Sequence, residues 1–438
     1  MDQYAPGSPI IRETQSRDEA MALKGLQGAR ALGTLLVVGA AFTVYLLTAL
    51  YLGARGGISY FGADPDYYLV LQYQAVDHTA ARFHPSTFAL GLGWMKLFSP
   101  IEGWIAPHVL LKAMFAAIGS VGVLAAILAS SVLLPRGYAL LGGIIYASSL
   151  GVWYFAAIPE SKILTASLAT LYIAVYALYR QYWTVPRTFA LNAILAVACL
   201  NEIVSAFLIA IPAIDALQRG IVRQRVRWLV VQVLVVLAAW FVLEFIVNGC
   251  LISASPVRQY QSHFGLLLHY IMKQSYSLPK LHDFVANWFF FNLVAPTPFA
   301  QWWPVTGGYF EANVAAYRWS PIAMTTVLVV AAMIAASLLP RVRAASLGPA
   351  GGLLLPLAVY ALVRAAFFII FVPDEALLFS PAVTLAHWLI VLVPFTASRF
   401  PAKGGLLAAL CVLLIATNAS FMLGPAGVSG LTARLFGP

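Results

Sequence analysis

The stretch Leu229–Val247 reads LVVQVLVVLAAWFVLEFIV and contains a single charged residue, Glu244. A helix of this length and composition can cross the hydrocarbon core of a membrane, which requires about 20 predominantly apolar residues. A second run, Ile322–Leu339, reads IAMTTVLVVAAMIAASLL. Unbroken apolar runs indicate membrane helices, because the strands of a membrane β-barrel alternate polar and apolar residues.

Composition extends this interpretation to the whole chain. Of its 438 residues, 61% are hydrophobic and 10% are charged, whereas an ordinary soluble domain has about 25% charged residues. So few charges could not cover the surface of a water-soluble globule, and disorder, a disulfide scaffold and a coiled coil are excluded on the same grounds. The three widely spaced cysteines are interpreted as small buried hydrophobic side chains. The net charge of +10 does not predict nucleic-acid binding, because basic residues of membrane proteins collect in loops on one side.

We predict an all-α, polytopic membrane fold of about eleven transmembrane helices. Residues 1–30 are expected to form a cytoplasmic tail and residues 31–438 a single membrane domain. The predicted spans are 31–53, 105–134, 138–158, 162–180, 187–200, 202–215, 226–247, 320–340, 352–372, 380–397 and 403–424. The fifth and sixth spans are too short for two full crossings and too long for one. We interpret them as a short helical hairpin that turns at Asn201-Glu202; the alternative is one long tilted helix, which would invert every later span.

Charge placement predicts the orientation. With the hairpin, basic residues fall in short loops on the cytoplasmic side, as the positive-inside rule expects. They are Arg136, Arg180, Arg187, Arg219, Arg223, Arg225, Arg227, Arg341, Arg343, Arg399 and Lys403. Beyond the tail, all acidic residues except Asp215, and all seven histidines, fall toward the opposite face. Two extracytoplasmic loops, about 54–104 and 248–318, are expected to carry amphipathic interfacial helices over 66–76 and 283–293, with their aromatic rings at the headgroup level.

The first of these loops contains two closely spaced carboxylates. Residues 62–69 read GADPDYYL, and Asp64 and Asp66 precede the paired Tyr67 and Tyr68. A carboxylate can act as a general base when it reaches the attacking hydroxyl. Asp64 precedes a proline and is therefore expected in extended backbone, whereas Asp66 is placed to cap the helix that follows. Asp64 is the preferred base.

This pattern resembles the GT-C superfamily of multi-pass glycosyltransferases, and in particular its protein mannosyltransferase and aminoarabinose transferase-like group. The resemblance is carried by a first helix, the Asp64–Tyr68 segment, and His84-Pro85 further along. The segment Ile158–Ser161 resembles a second, shorter acidic loop, and the hairpin at Asn201-Glu202 resembles a pair of short membrane helices. The sequence departs from many relatives, which have Asp-Glu in the first loop or a basic residue at the hairpin tip.

The resemblance implies transfer of a sugar from a polyprenyl-phosphate donor to a hydroxyl acceptor, with inversion, at the extracytoplasmic face. The implied catalytic residues are Asp64, Asp66 and Glu160. The implied substrate-binding residues are Tyr67, Tyr68, Arg82, His84, Lys162, Glu202, Arg258, Lys273 and Arg364. The departing lipid phosphate needs cationic stabilisation, for which Lys280 and Arg318 are further candidates.

Three of these residues have a structural alternative. Arg364 lies within the apolar run Leu353–Val372, where a charge costs at least about 2.5 kcal/mol and is rarely unpaired. A structural ion pair of Arg364 with Glu244, Asp374 or Glu375 is therefore the alternative to donor binding. Glu160 could instead interact with the start of its helix, and Glu202 could serve as a hydrogen-bonded turn.

The histidine spacing does not indicate a metal site. His78 and His84, like His263 and His269, lie six residues apart, which does not place both rings on one helical face. We expect no zinc site and no required cofactor; a divalent cation is left open. The aromatic segments 288–291 and 302–303 are either interfacial anchors or sugar-stacking platforms.

The expected partners are the lipid-linked donor, a lipid or glycan acceptor and membrane lipids, in a bacterial inner membrane with the active site facing the periplasm. A secondary transporter or flippase of lipid-linked or anionic substrates is the main alternative. It is favoured by Arg364 and by the break at Asn201-Glu202, although no repeated halves are found. An acyltransferase, or a polymerase using undecaprenyl-diphosphate-linked donors, is a third.

Overall fold

The structure, a computed structural model, describes residues 29–53, 65–181, 184–251, 263–274, 276–295, 320–338 and 347–423. Every secondary-structure element in these ranges is helical, which confirms the all-α prediction. The principal helices are α1 Ala29–Gly53, α2 Pro65–Leu69, α3 Pro85–Phe98, α4 Pro107–Leu133, α5 Ala139–Ser148, α6 Leu150–Ala157, α7 Lys162–Tyr179, α8 Val185–Asn201, α9 Ala210–Gln218, α10 Val222–Leu251, α11 His263–Lys273, α12 Leu278–Val285, α13 Pro321–Leu338, α14 Leu354–Phe371, α15 Ala376–Ala397 and α16 Lys403–Leu423. A 3-10 segment, Ile203–Ile209, leads into α9.

Eight described helices are long and apolar enough to cross a membrane, and a ninth span results if α5 and α6 are counted together. These two are bent by 61° at Ser149, where the sequence predicted one continuous span. The fold is therefore that of a multi-pass membrane protein. Helix α10 covers 30 residues, beginning earlier and ending later than predicted, so that the second long connection starts after Leu251.

Burial separates an inner helix from outer ones. Helix α4 packs against α1, α5 and α7, and 67% of its apolar window is buried, whereas only 17% is buried in α10 and in α13. The outer helices keep large apolar side chains exposed, as expected of surfaces that face lipid. Gly119 lets α4 approach α6 closely, because a Cβ placed there would lie 2.6 Å from the Cβ of Ala156.

The chain reverses direction between α8 and α9. Asn201, the last residue of α8, hydrogen-bonds Ser161 and Thr165 at the start of α7. Asp215, in α9, binds Arg180 just beyond the end of α7. Helix α8 therefore runs antiparallel to α7, and α9 runs parallel to it. The two short helices form a hairpin with its turn at Glu202, rather than one long tilted helix.

The predicted interfacial helices differ from what the structure contains. The 66–76 segment forms the five-residue α2 and a short 3-10 turn, and the 283–293 segment forms the end of α12 and a π-helical turn, Ala286–Phe291. Trp288 is fully buried between Phe284 and Phe368, with ring centroids at 5.3 and 5.7 Å. Aromatic partners from two helices enclose the ring, so Trp288 is a core side chain and not the exposed interfacial anchor that the sequence suggested. Residues 302–303 lie outside the described residues.

Candidate functional site

The centre of the candidate site is a buried ion pair between α14 and the hairpin turn. Arg364 Nη2 donates a hydrogen bond of 2.8 Å to Glu202 Oε1, and both side chains are almost fully buried. Among the described residues Arg364 pairs with Glu202 and not with Glu244 or Glu375, the partners suggested by the sequence; the side chain of Asp374, the third suggested partner, lies outside the described residues. The reversal at the hairpin brings Glu202 to Arg364 across 162 positions of the chain, which no local pattern indicates.

The guanidinium of Arg364 is only partly satisfied. Within the described residues, its Nε and Nη1 atoms are buried and have no hydrogen-bond partner. Arginine carries five N–H donors in a planar fork, and a buried donor without a partner costs about 1–3 kcal/mol. The site therefore retains donor capacity for an additional acceptor.

Lys162, the first residue of α7, provides a second buried cation. Its Nζ atom lies 4.1 Å from the ring centroid of Phe379, and that ring stacks on Phe368 at 4.1 Å. The guanidinium carbon of Arg364 lies 5.2 Å from the Phe368 centroid. Two cations thus rest on two stacked aromatic rings, in a geometry that attracts both to the ring faces.

Glu202 interacts electrostatically with three basic groups. Burial disfavours the ionised carboxylate of Glu202, whereas Arg364, Lys162, His84 and a hydrogen bond with Thr165 favour it. We refer to Glu202, Arg364, Lys162 and His84 as the turn cluster. With Glu202 ionised, the two cations leave one net positive charge even when His84 is neutral, so the turn cluster attracts an anion.

Asn201 holds the first loop, α7 and α8 together beside the turn cluster. Its Oδ1 atom accepts hydrogen bonds from the backbone N and the Oγ1 of Thr87 at 3.2 and 2.7 Å. Its Nδ2 atom donates to Ser161 O and to Thr165 Oγ1 at 3.2 and 2.9 Å. His84 Nδ1 lies 2.7 Å from Asn201 O, so it donates there and carries the proton when the ring is neutral. The sequence indicates Asn201 as a turn residue but carries no signal for these contacts.

The first-loop residues are only partly brought to the turn cluster. Tyr68 is buried, stacks on Phe88 at 5.3 Å and lies 6.5 Å from His84 between ring centroids. Tyr67 is exposed. Asp66 is exposed in the first turn of α2 and makes no side-chain hydrogen bond to another described residue, so the predicted cap is not formed. Asp64, the preferred base, lies outside the described residues.

Two other predicted site residues are buried nearby. Glu160 Oε1 accepts hydrogen bonds from Ser161 N and Ser161 Oγ at 2.7 and 2.9 Å, which ties this carboxylate to the start of α7. Arg82 is buried. Burial lowers the pKa of the Arg82 guanidinium, and Glu244 acts against that shift, so Glu244 is an electrostatic neighbour of Arg82.

Lys273, another cationic candidate, is not in the turn cluster. Lys273 is exposed at the end of α11, and the adjacent Gln274 donates to Phe371 O at 3.3 Å. Phe371 lies seven residues beyond Arg364 on α14, which corresponds to about 10 Å along the helix. Lys273 is therefore outside the turn cluster, while Arg258 and Arg318 lie outside the described residues.

Metal-ligating side chains do not assemble in the described part of the chain. No group of three or more His, Cys, Asp or Glu residues there is placed to hold an ion. Asp77, beside His78, instead caps a short helix by accepting hydrogen bonds from Thr79 N and Ala80 N at 2.9 and 3.0 Å.

Comparison with known proteins gives no family for this chain. No family model matches it, and no curated protein matches it.

Proposed function

We propose that the chain is a membrane glycosyltransferase that moves a sugar from a polyprenyl-phosphate donor to a hydroxyl acceptor. The observation that supports the proposal is the turn cluster: a fully buried guanidinium, two of whose nitrogen atoms have no hydrogen-bond partner among the described residues, beside a second buried cation. A phosphate oxygen is a natural acceptor for such a fork. The resemblance of the first loop to GT-C enzymes is the reason for proposing that this phosphate belongs to a lipid-linked sugar.

In this proposal the donor phosphodiester binds at Arg364 and Lys162. The acceptor hydroxyl oxygen attacks the anomeric carbon, its proton passes to a first-loop carboxylate, and the bond from the anomeric carbon to the phosphate oxygen breaks. The lipid monophosphate that leaves carries one more negative charge than the phosphodiester did. Arg364 and Lys162 stabilise that developing charge, which is the main way preorganised cations accelerate such reactions.

The base in this proposal is Asp64 or Asp66. Asp66 is exposed and its side chain makes no hydrogen bond to another described residue, so its carboxylate is available for proton transfer. Glu160 is the weaker candidate, because hydrogen bonds from Ser161 already engage one of its oxygen atoms. His84 is a member of the turn cluster and donates a hydrogen bond through Nδ1 to Asn201 O.

The topology proposed for this enzyme has about eleven passes, with α8 and α9 counted as two short ones. The N-terminus lies in the cytoplasm, and the turn cluster faces the periplasm of a bacterial inner membrane. A reporter enzyme fused after Pro438 tests the orientation, because eleven passes place the C-terminus outside.

A transporter or flippase of lipid-linked or anionic substrates is the second candidate. It is favoured by the 61° bend between α5 and α6 and by the ion pair within the membrane domain, since transporters place charges and broken helices at their substrate sites. Such a protein would move the lipid-linked sugar across the bilayer without cleaving it.

One experiment separates the two candidates. The purified chain is placed in vesicles with radiolabelled polyprenyl-phosphate sugars and a mixture of lipid and glycan acceptors. Label that moves to an acceptor, with release of polyprenyl phosphate, supports the enzyme. Intact donor that becomes accessible on the opposite leaflet, with no release of polyprenyl phosphate, supports the transporter and contradicts the enzyme.

A further inference from the structure

The end of the molecule opposite the turn cluster carries a concentrated positive charge. Six arginines lie in segments 176–190 and 211–230, against one carboxylate, Asp215. Arg180 binds Asp215 through both Nε and Nη2, and Tyr176 donates to the same carboxylate at 2.7 Å. Arg219 Nη1 lies 3.7 Å from Asp215 Oδ2. One carboxylate is therefore shared between two arginines and a tyrosine.

The end of α7 offsets part of this charge. Arg225 Nη2 donates to the backbone oxygen of Arg180 at 3.0 Å, and Arg219 Nη1 donates to the same oxygen at 3.3 Å. This oxygen is at the negative end of the helix dipole. Arg187 lies against the ring of Tyr179 at 4.8 Å. These contacts fix the inner arginines in place and leave the end positively charged overall.

One face of α10 carries exposed arginines next to exposed apolar side chains. Arg223, Val226, Arg227 and Val230 follow the spacing of a single helical face, and all four are exposed. Neither Arg223 nor Arg227 has a carboxylate partner in the described part of the chain. Basic side chains in the first turns of a helix face the positive end of its dipole, so α10 does not offset their charge. The two valines begin the exposed apolar surface of a membrane span.

We propose that this face of α10 binds an anionic phospholipid. The headgroup phosphate lies against Arg223 and Arg227, with Arg219 beside them, and an acyl chain lies along Val226 and Val230. The positive charge favours an anionic partner, because basic groups at the membrane surface attract anionic lipids. The two exposed valines favour a lipid over a soluble anion, because only a lipid has an acyl chain to pack against them. This lipid site is separate from the turn cluster, and the proposal does not depend on which reaction the turn cluster serves.

The test uses the full chain purified in detergent. Phosphatidylglycerol or phosphatidylcholine is titrated in, and bound lipid is counted by native mass spectrometry. The double variant R223Q/R227Q is compared with R136Q/R399Q, which removes two exposed arginines elsewhere. Thermal unfolding verifies that both variants fold.

We expect phosphatidylglycerol to bind in preference to phosphatidylcholine, and R223Q/R227Q to bind it about thirtyfold more weakly, since each basic residue near an anionic lipid contributes about fivefold. The control pair should change little. Equal binding of phosphatidylcholine, an unchanged R223Q/R227Q, or an equal loss in the control pair would overturn the proposal. Displacement of the lipid by soluble glycerol phosphate at similar concentration would also overturn it, because the site would then recognise the anion alone.

Discussion

Substituting both members of the Arg364–Glu202 pair separates a structural role for Arg364 from a role in binding phosphate. The variants are Arg364→Gln, Glu202→Gln and the double variant, and glutamine keeps length and hydrogen-bonding capacity. Two quantities are measured for each: the free energy of unfolding and the affinity for radiolabelled polyprenyl phosphate, which requires no knowledge of the acceptor.

The structure sets the expected magnitudes. Breaking a buried pair on one side leaves an uncompensated charge and costs about 3–5 kcal/mol, and the pair here is nearly fully buried with a 2.8 Å contact. Each single variant should lose stability on this scale. The double variant has no buried charge left at either position, so its loss should be far smaller than the sum of the two.

Binding should not recover in the double variant. A hydrogen bond to a charged group contributes about 1.5–3 kcal/mol, so loss of Arg364 should weaken lipid phosphate binding roughly tenfold to a hundredfold. If Arg364 only neutralises Glu202, the double variant will bind lipid phosphate as well as the native protein does. That result would refute the assignment of Arg364 to the donor.

Three further predictions concern the base and the packing around the site. Asp64→Asn should reduce sugar transfer by about 10²–10⁴-fold with no loss of stability. If Asp66→Asn reduces sugar transfer by that much instead, the two assignments are reversed. If both variants stay active, the first loop does not hold the base. Asn201→Ala should lower the free energy of unfolding by at least about 2 kcal/mol, because buried partners in two helices lose their hydrogen bonds, and an unchanged denaturation midpoint would contradict this. Gly119→Ala should destabilise the contact between α4 and α6 by roughly 1–3 kcal/mol. Gly93→Ala is the control, because nothing lies within 4 Å of the added Cβ, and it should melt at the temperature of the native protein. Similar melting temperatures for the two variants would count against the close approach.

The spans could be predicted from sequence because apolar length is a local property. The runs at 105–134, 320–340 and 403–424 match Pro107–Leu133, Pro321–Leu338 and Lys403–Leu423 to within a few residues. The bend between α5 and α6 was not predictable in this way. The residues on both sides of it are apolar, and Ser149 resembles any small polar residue within a span.

Members of the candidate site could be recognised in the sequence only where a residue type is unusual for its surroundings. Arg364 was identified because a charge within an apolar run must have a partner, and Asn201-Glu202 because a polar pair interrupts a run. The partner of Arg364 and the contact of Lys162 with Phe379 depend on which helices become neighbours. Trp288 was placed wrongly for the same reason, since an aromatic run has the same sequence whether it meets lipid headgroups or other aromatic rings.

The fold contains two buried arginine–carboxylate pairs, Arg180–Asp215 and Arg364–Glu202, and they differ in how fully their hydrogen-bonding groups are paired. This difference supports a structural role for the first pair and a ligand-binding role for the second. Asp215 accepts hydrogen bonds from Arg180 and Tyr176, and the Nε and Nη2 atoms of Arg180 are both engaged. At the other end of the hairpin, Arg364 uses Nη2 alone, and its Nε and Nη1 are buried without a partner in the described residues. A buried polar network without its full set of partners destabilises the fold. We therefore expect an anion to complete the pair at Glu202. Binding of lipid phosphate should then raise the unfolding temperature of the native protein but not that of Arg364→Gln.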